Sequence, residues 1–343
     1  MYYQRLIDNL SQLEGVRFVP LYELQTTSAE GVRLIGLRHD VDSNPYSALR
    51  AARYLARKGI CGSFYLLHTA SYYGRYQNDE FVRNPMMAEL VQRFIITGNE
   101  IGLHNDAFYV YMMWKSDGSE SLKSELTWLR SLGAVVHGTV AHNSAPVYRA
   151  ENYEVFRERV LWKREVISPN GTILPLGKLS EKKLDLSYEG IFAVPKQNPN
   201  IKKALKFCMN LADADIRSEA WMRRYLCNNP CCDWAIDYQF WLIGQDKWVA
   251  AGKYNGEELF EWKIDSTRLL HLVQDLPLNI RSVLVIHPDY FETEEPILSK
   301  KRTNLSATGK SYNINTLKKM KRKLSKIYKL FNRIILRINN IYH

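Results

Sequence analysis

The chain of 343 residues lacks several features that mark special classes of protein. It has no run of about 18 apolar residues, so a membrane-spanning helix is not expected. The N-terminus, Met1 to Asp8, has no apolar segment typical of a signal peptide, and a cytoplasmic location is therefore expected. The five cysteines form no C-x-x-C pair, and Cys227-x3-Cys231-Cys232 has no second Cys/His pair at zinc-finger spacing. Reduced thiols are the better interpretation.

Most of the chain also lacks an excess of charge of one sign. The net charge is +11, but residues 1–299 hold 34 basic and 36 acidic side chains, whereas residues 300–343 hold 13 basic and no acidic ones. The whole chain is 46% hydrophobic and 24% charged, as in an ordinary globular protein, and its body is nearly neutral. We predict a globular domain over residues 1–295 and a basic tail over residues 296–343.

Strand-like and helix-like segments alternate along the body. Buried strands are predicted at 32–37, 60–66, 99–103, 134–141 and 282–286, and helices at 3–13, 45–58, 85–97, 122–132, 151–160 and 266–274. This alternation predicts βαβ units and an α/β fold with a parallel sheet. The less regular region 161–260 has a predicted strand at 207–211, a helix at 218–226 and a hairpin that includes 241–250.

Polar side chains of catalytic type stand at the ends of four predicted strands. These ends are Arg38-His39-Asp40-Val41-Asp42, His104-Asn105-Asp106, His142-Asn143-Ser144 and His287-Pro288-Asp289. Because the carboxyl ends of parallel strands surround one crevice, we expect these groups to lie close together.

The spacing of Asp40 and Asp42 favours metal-assisted hydrolysis. Residues two apart in extended backbone point the same way. A divalent cation needs carboxylate and imidazole ligands with a position left for water, and a second carboxylate beside that water can act as a base. The structural alternative is that Arg38, Asp40 and Asp42 form a salt-bridge network at a strand end.

These residues resemble the polysaccharide deacetylase family (the NodB-homology, carbohydrate esterase 4 group), and most closely its branch with an Arg-His-Asp-x-Asp opening motif. The likeness covers roughly residues 30–295 and is carried by four blocks in order, at residues 37–42, 62–65, 98–104 and 284–288. The resemblance implies a distorted, incomplete β/α barrel of the polysaccharide deacetylase type. It also implies removal of N- or O-acetyl groups from glycans with a divalent metal, commonly zinc.

The resemblance assigns roles to four residues. Asp40 matches the catalytic base, Asp42 and His104 match metal ligands, and His287 matches the histidine that protonates the leaving amine or alkoxide. Arg38 is expected to keep Asp40 ionised through its positive charge.

Two positions depart from the family pattern. The family's second metal histidine lies four residues after the first, where this chain has Phe108, and the usual Asp-Asp-Gly opening is absent. We expect the third ligand to be His142, with Asp106 as the second choice. Among the other histidines, His39 is expected behind the site, and His68 and His137 are assigned to structure.

The predicted function is a metal-dependent hydrolase, with zinc as the expected cofactor, that removes an acetyl group from a sugar of a surface polysaccharide or its precursor. The alternative is a catalytically inactive relative that binds glycan or partner proteins. A nucleic-acid-associated protein is a weaker hypothesis, because the body contains nothing that resembles a base-reading module.

The tail is predicted to form a basic amphipathic helix from Leu317 onward, since apolar residues recur there at steps of three and four with Lys and Arg between them. Four arrangements fit this pattern: an anionic membrane surface, pairing with a partner or its own copy, nucleic-acid binding, or packing on its own domain. We favour the membrane, since glycan assembly on lipid carriers takes place there. Residues 314–343 are therefore expected to hold the protein peripherally on the inner face of the cytoplasmic membrane.

Overall fold

The computed structural model describes residues 3–291 except 25, 144–149, 161–163, 169, 191–218, 220–235 and 256. Several predictions fall outside the described residues: the strand at 207–211, all but residue 219 of the helix at 218–226, the cysteines at 227, 231 and 232, the boundary between 295 and 296, and the basic tail.

The described strands, in chain order, are β1 (Val16–Val19), β2 (Arg33–Val41), β3 (Ser63–Leu67), β4 (Gly74–Gln77), β5 (Glu80–Arg83), β6 (Glu100–Asn105), β7 (Gly138–Ala141), β8 (Val166–Ile167), β9 (Ile173–Leu174), β10 (Tyr188–Glu189), β11 (Tyr238–Gly244), β12 (Lys247–Tyr254), β13 (Glu257–Ile264) and β14 (Ile280–Ile286). Ten of them form one sheet in the order β10-β7-β6-β3-β2-β14-β11-β12-β13, with β1 also beside β2. Pairing is parallel from β10 to β11, and β12 and β13 are antiparallel. The predicted α/β class with a largely parallel sheet is confirmed.

The α-helices are α1 (Tyr3–Gln12), α2 (Leu21–Leu24), α3 (Pro45–Arg57), α4 (Met87–Ile95), α5 (Ala107–Tyr109), α6 (Gly118–Ser131) and α7 (Ser266–Asp275). A π-helical turn at Val110–Trp114 continues α5, and short 3-10 turns lie at Asn152–Val155, Arg157–Arg159, Lys182–Leu184 and Pro288–Tyr290. In the described residues, no helix combines the length and the apolar character needed to cross a membrane.

The largest hydrophobic core fixes which face of β2 carries the polar residues. Leu37 and Val41 are fully buried in this core, together with apolar side chains of α1, α3, α4 and α6. Because successive strand residues point to opposite faces, Arg38 and Asp40 are directed to the other side of the sheet. The alternation of β2 therefore separates the residues that pack the helices from those that form the site.

Most predicted elements are present with shifted ends, but the helix predicted at 151–160 is wrong. Two 3-10 turns occupy this segment. The reason is non-local pairing: the amide of Leu179 donates to Val155 O and the amide of Arg157 donates to Leu179 O, at 2.9 Å each. These bonds replace the helical ladder. The strand predicted to end at 37 continues to Val41, and the predicted hairpin is present as β11 and β12.

Candidate metal centre

The four strand ends that carry the predicted polar clusters lie at the same end of the sheet, and Ser144 of the third cluster lies outside the described residues. The strands that carry them, β7, β6, β2 and β14, follow one another in the sheet with only β3 inserted between β6 and β2. All these pairings are parallel, so the carboxyl ends of the strands lie together.

Asp42, His104 and His142 form a compact group of potential metal ligands. One ligand atom of each lies within 4.8 Å of the others. The Oδ1 atom of Asp42 is 3.5 Å from Nε2 of His104, and the two imidazole rings are 4.9 Å apart between centroids. Nδ1 of His104 is 2.8 Å from the carbonyl oxygen of Val140, a bond that orients Nε2 toward the carboxylates. The structure therefore brings together the three side chains predicted as ligands.

The chemistry of this group fits a divalent cation. Oδ1 of Asp42 is buried and has no hydrogen-bond partner among the described residues. Such an atom is costly unless an ion or a water molecule satisfies it. Burial lowers the pKa of His104 to about 4, so its imidazole is neutral, as a metal ligand must be. At His142 the charge of Asp106 outweighs burial and raises the pKa to about 9, so a cation would have to displace a proton from that ring. Two imidazoles and one carboxylate are a frequent donor set for catalytic zinc.

Asp40 and Arg38 form a buried ion pair beside the ligand group. The Nε and Nη2 atoms of Arg38 donate to the two oxygens of Asp40 at 2.7 and 2.6 Å, and both side chains are 2% exposed. Burial would raise the pKa of the Asp40 carboxyl, but the charge and hydrogen bonds of Arg38 hold that pKa well below its usual range. Asp40 is thus ionised, with Oδ2 3.6 Å from Nε2 of His104. The predicted contact between Arg38 and Asp40 is present.

His287 approaches the group from β14. Its Nδ1 is 3.0 Å from the carbonyl oxygen of Leu242, and its Nε2 is 3.6 Å from Oδ2 of Asp42. His104 and His287 therefore contact different oxygens of the same carboxylate. Asp42 therefore contacts two imidazoles. The structural alternative placed it instead in a salt-bridge network with Arg38 and Asp40.

Position 108, where the resemblance implies a second metal histidine, holds a phenylalanine, which has no ligand atom. The backbone turns into α5 directly after Asp106, and the Phe108 side chain is fully buried in the main hydrophobic core. His142, at the end of the neighbouring strand, joins the ligand group in its place. Asp106, the second choice, instead contacts Nδ1 of His142 through Oδ2 at 3.3 Å.

His39 and His137 have the structural positions predicted for them. His39 contacts the hydroxyl of Tyr3 at 2.9 Å and the carbonyl of Ser63 at 3.1 Å, and it stacks on Phe64. Burial lowers the pKa of His39 to about 4. His137 stacks on Tyr22, with ring centroids 4.2 Å apart.

Three residues near the site were not predicted to belong there. Thr69 and Asn152 donate hydrogen bonds to Asp106, and Nε2 of His68 accepts the backbone amide of Asp106. His68 and Thr69 follow β3, which ends at Leu67, one residue beyond the predicted strand end, and the sequence analysis assigned His68 to structure. Asn152 lies in the segment wrongly predicted as helix, where the sequence pattern pointed to packing alone.

Comparisons with protein-family models, with curated proteins and with solved structures give no match. The function of this chain therefore has to be inferred from the geometry and chemistry of the site itself.

Proposed function

We propose that the protein is a metal-dependent hydrolase that removes an acetyl group from a sugar of a surface polysaccharide or its precursor. The main support is the grouping of ligand atoms of Asp42, His104 and His142 within 4.8 Å. Zinc is the proposed metal, because imidazole and carboxylate ligands suit it. We also propose that the described sheet is part of a distorted, incomplete barrel of the polysaccharide deacetylase type.

The position of each side chain supports the role proposed for it. A divalent cation held by the three ligands would polarise the acetyl carbonyl and lower the pKa of water to about 7. Asp40, kept ionised by Arg38, accepts the proton of the water whose oxygen attacks the carbonyl carbon.

We assign the last proton transfer of the proposed reaction to His287. With Nδ1 directed at the Leu242 carbonyl, its Nε2 faces the site and carries the proton in the imidazolium form. That proton passes to the sugar nitrogen or oxygen as its bond to the acyl carbon breaks. The products are acetate and the free amine or hydroxyl.

Acetate release from a panel of acetylated sugar nucleotides and glycans tests this proposal. We expect zinc-loaded protein to release acetate from at least one member, with the corresponding non-acetylated sugars as blanks. A zinc-loaded protein that releases no acetate from any member would contradict it.

One observation favours the non-catalytic alternative as a second candidate. Both oxygens of Asp40 accept hydrogen bonds from Arg38, and the carboxylate is 2% exposed, so the proposed base is enclosed. A glycan-binding protein would need no such base. Calorimetric binding of a glycan from the panel without acetate release would support this alternative.

We propose that the basic tail binds an anionic membrane surface, with each Lys or Arg contributing about 1 kcal/mol of attraction. In liposome flotation, the full chain should float with vesicles containing phosphatidylglycerol and not with neutral phosphatidylcholine vesicles. Protein lacking residues 300–343 should remain at the bottom of the gradient with both. Equal flotation of the two proteins with the anionic vesicles would contradict membrane binding by the tail.

A further inference from the structure

Asp106 is a buried carboxylate in direct contact with a proposed metal ligand. Its Oδ2 atom is 3.3 Å from Nδ1 of His142, and its side chain is 2% exposed. Metal-binding histidines commonly donate their second ring N–H to a carboxylate, which fixes the tautomer and the orientation of the ring. The contact between Asp106 and His142 has this arrangement.

Asp106 is itself held in place from three directions. Thr69 Oγ1 donates to Oδ2 at 2.6 Å, and Asn152 Nδ2 donates to Oδ1 at 3.0 Å. The backbone amide of Asp106 donates to Nε2 of His68 at 2.9 Å. The carboxylate therefore has a defined orientation before any ligand binds.

Asn152 connects this carboxylate to the chain around His142. Besides Asp106, its Nδ2 donates to the backbone carbonyl of His142 at 2.7 Å, and its Oδ1 accepts the amide of Phe108 at 2.8 Å. Nδ2 of Asn105 donates to the carbonyl of Asn152 at 2.9 Å, and the amide of His142 donates to the carbonyl of Asn105 at 2.7 Å. Through these hydrogen bonds, Asn152 connects the end of β6 with the end of β7.

We infer that Asp106 is a positioning residue that directs the His142 imidazole toward Asp42 and His104. His142 is 24% exposed, and the buried Asp106 carboxylate contacts its ring at Nδ1, the nitrogen that would face away from a metal bound through Nε2. His142, which directly follows β7 and contacts Asp106, supplies the imidazole that is absent at position 108. This inference rests on the proposed function, because it assigns a role toward the metal of that site.

Zinc affinity, measured by competition with a chromophoric chelator, tests the inference without an activity assay. We expect Asp106→Asn to bind zinc about 10- to 100-fold more weakly than the wild type. In a His142→Ala background, Asp106→Asn should have no further effect, because the residue acts through His142. Asp265→Asn is the matched control: Asp265 caps α7, and asparagine caps equally well.

Two further measurements separate positioning from a general loss of structure. The visible spectrum of the cobalt-substituted protein should change in Asp106→Asn while circular dichroism shows an unchanged fold. If Asp106→Asn does not fold, Thr69→Val removes only the hydroxyl that holds Oδ2 and should weaken zinc binding in the same direction by a smaller factor.

Three outcomes would contradict the inference, and each would overturn a different part of it. Wild-type affinity in folded Asp106→Asn, or in Thr69→Val where Asp106→Asn does not fold, would overturn the positioning role alone. An equal loss of affinity with and without His142 would show that Asp106 does not act through that imidazole. A wild-type protein that binds no zinc would overturn the proposed function and this inference together.

Discussion

Replacing Asp42 with asparagine is expected to remove the metal and to lower acetate release by at least about 10³-fold. The amide has nearly the same shape but lacks the charge that a cation requires. A bound metal contributes several kcal/mol to transition-state stabilisation, and about 4 kcal/mol corresponds to that factor. The fold should persist, because the Asp42 side chain is 32% exposed and its Oδ1 has no hydrogen-bond partner among the described residues.

Elemental analysis and acetate release on the same preparation measure this effect. His104→Ala should behave like Asp42→Asn, whereas Asp265→Asn should keep both metal and activity. If Asp42→Asn retained its full metal content, Asp42 would not be a ligand.

Replacing Asp40 with asparagine should give a different pattern, in which metal is retained and kcat falls by about 10²- to 10⁴-fold. That range is typical for the loss of a general base. The change also leaves the buried Arg38 without its charge partner, which typically lowers the free energy of unfolding by about 3–5 kcal/mol. The activity must therefore be measured at a temperature at which circular dichroism shows the variant to be folded.

Comparing Asp42→Asn with Asp40→Asn distinguishes a metal ligand from a general base. Loss of metal in folded Asp40→Asn would make Asp40 part of the binding site, and full activity would exclude it as the base. Chemical denaturation of the same protein checks the predicted destabilisation independently of catalysis.

The sequence was informative where local pattern determines position. The two-residue spacing of Asp40 and Asp42 in extended backbone predicts that they share a side. Both lie within 3.6 Å of His104, although β2 ends at Val41. The rule that parallel strands end at one crevice predicts that His104, His142 and His287 converge there. Each of these predictions needs only the period of a strand and the order of the elements.

The sequence did not predict features that depend on contacts between residues distant along the chain. His142 and Asp106 both follow strand ends, so the sequence offered either as the third ligand. The path of the chain after β6 shows that His142 joins the ligand group and that Asp106 contacts His142. Asn152 has a helix-like sequence around it, but pairing with Leu179 overrides that pattern. Its role in holding Asp106 depends on neighbours 46 residues away along the chain.

The most direct test of the metal centre is elemental analysis of the full-length protein after incubation with zinc and removal of unbound metal. We predict one ion per chain in the wild type and in Asp265→Asn, and none in Asp42→Asn or His104→Ala. Wild-type protein without metal, or the same metal content in all four proteins, would contradict a metal centre formed by Asp42, His104 and His142.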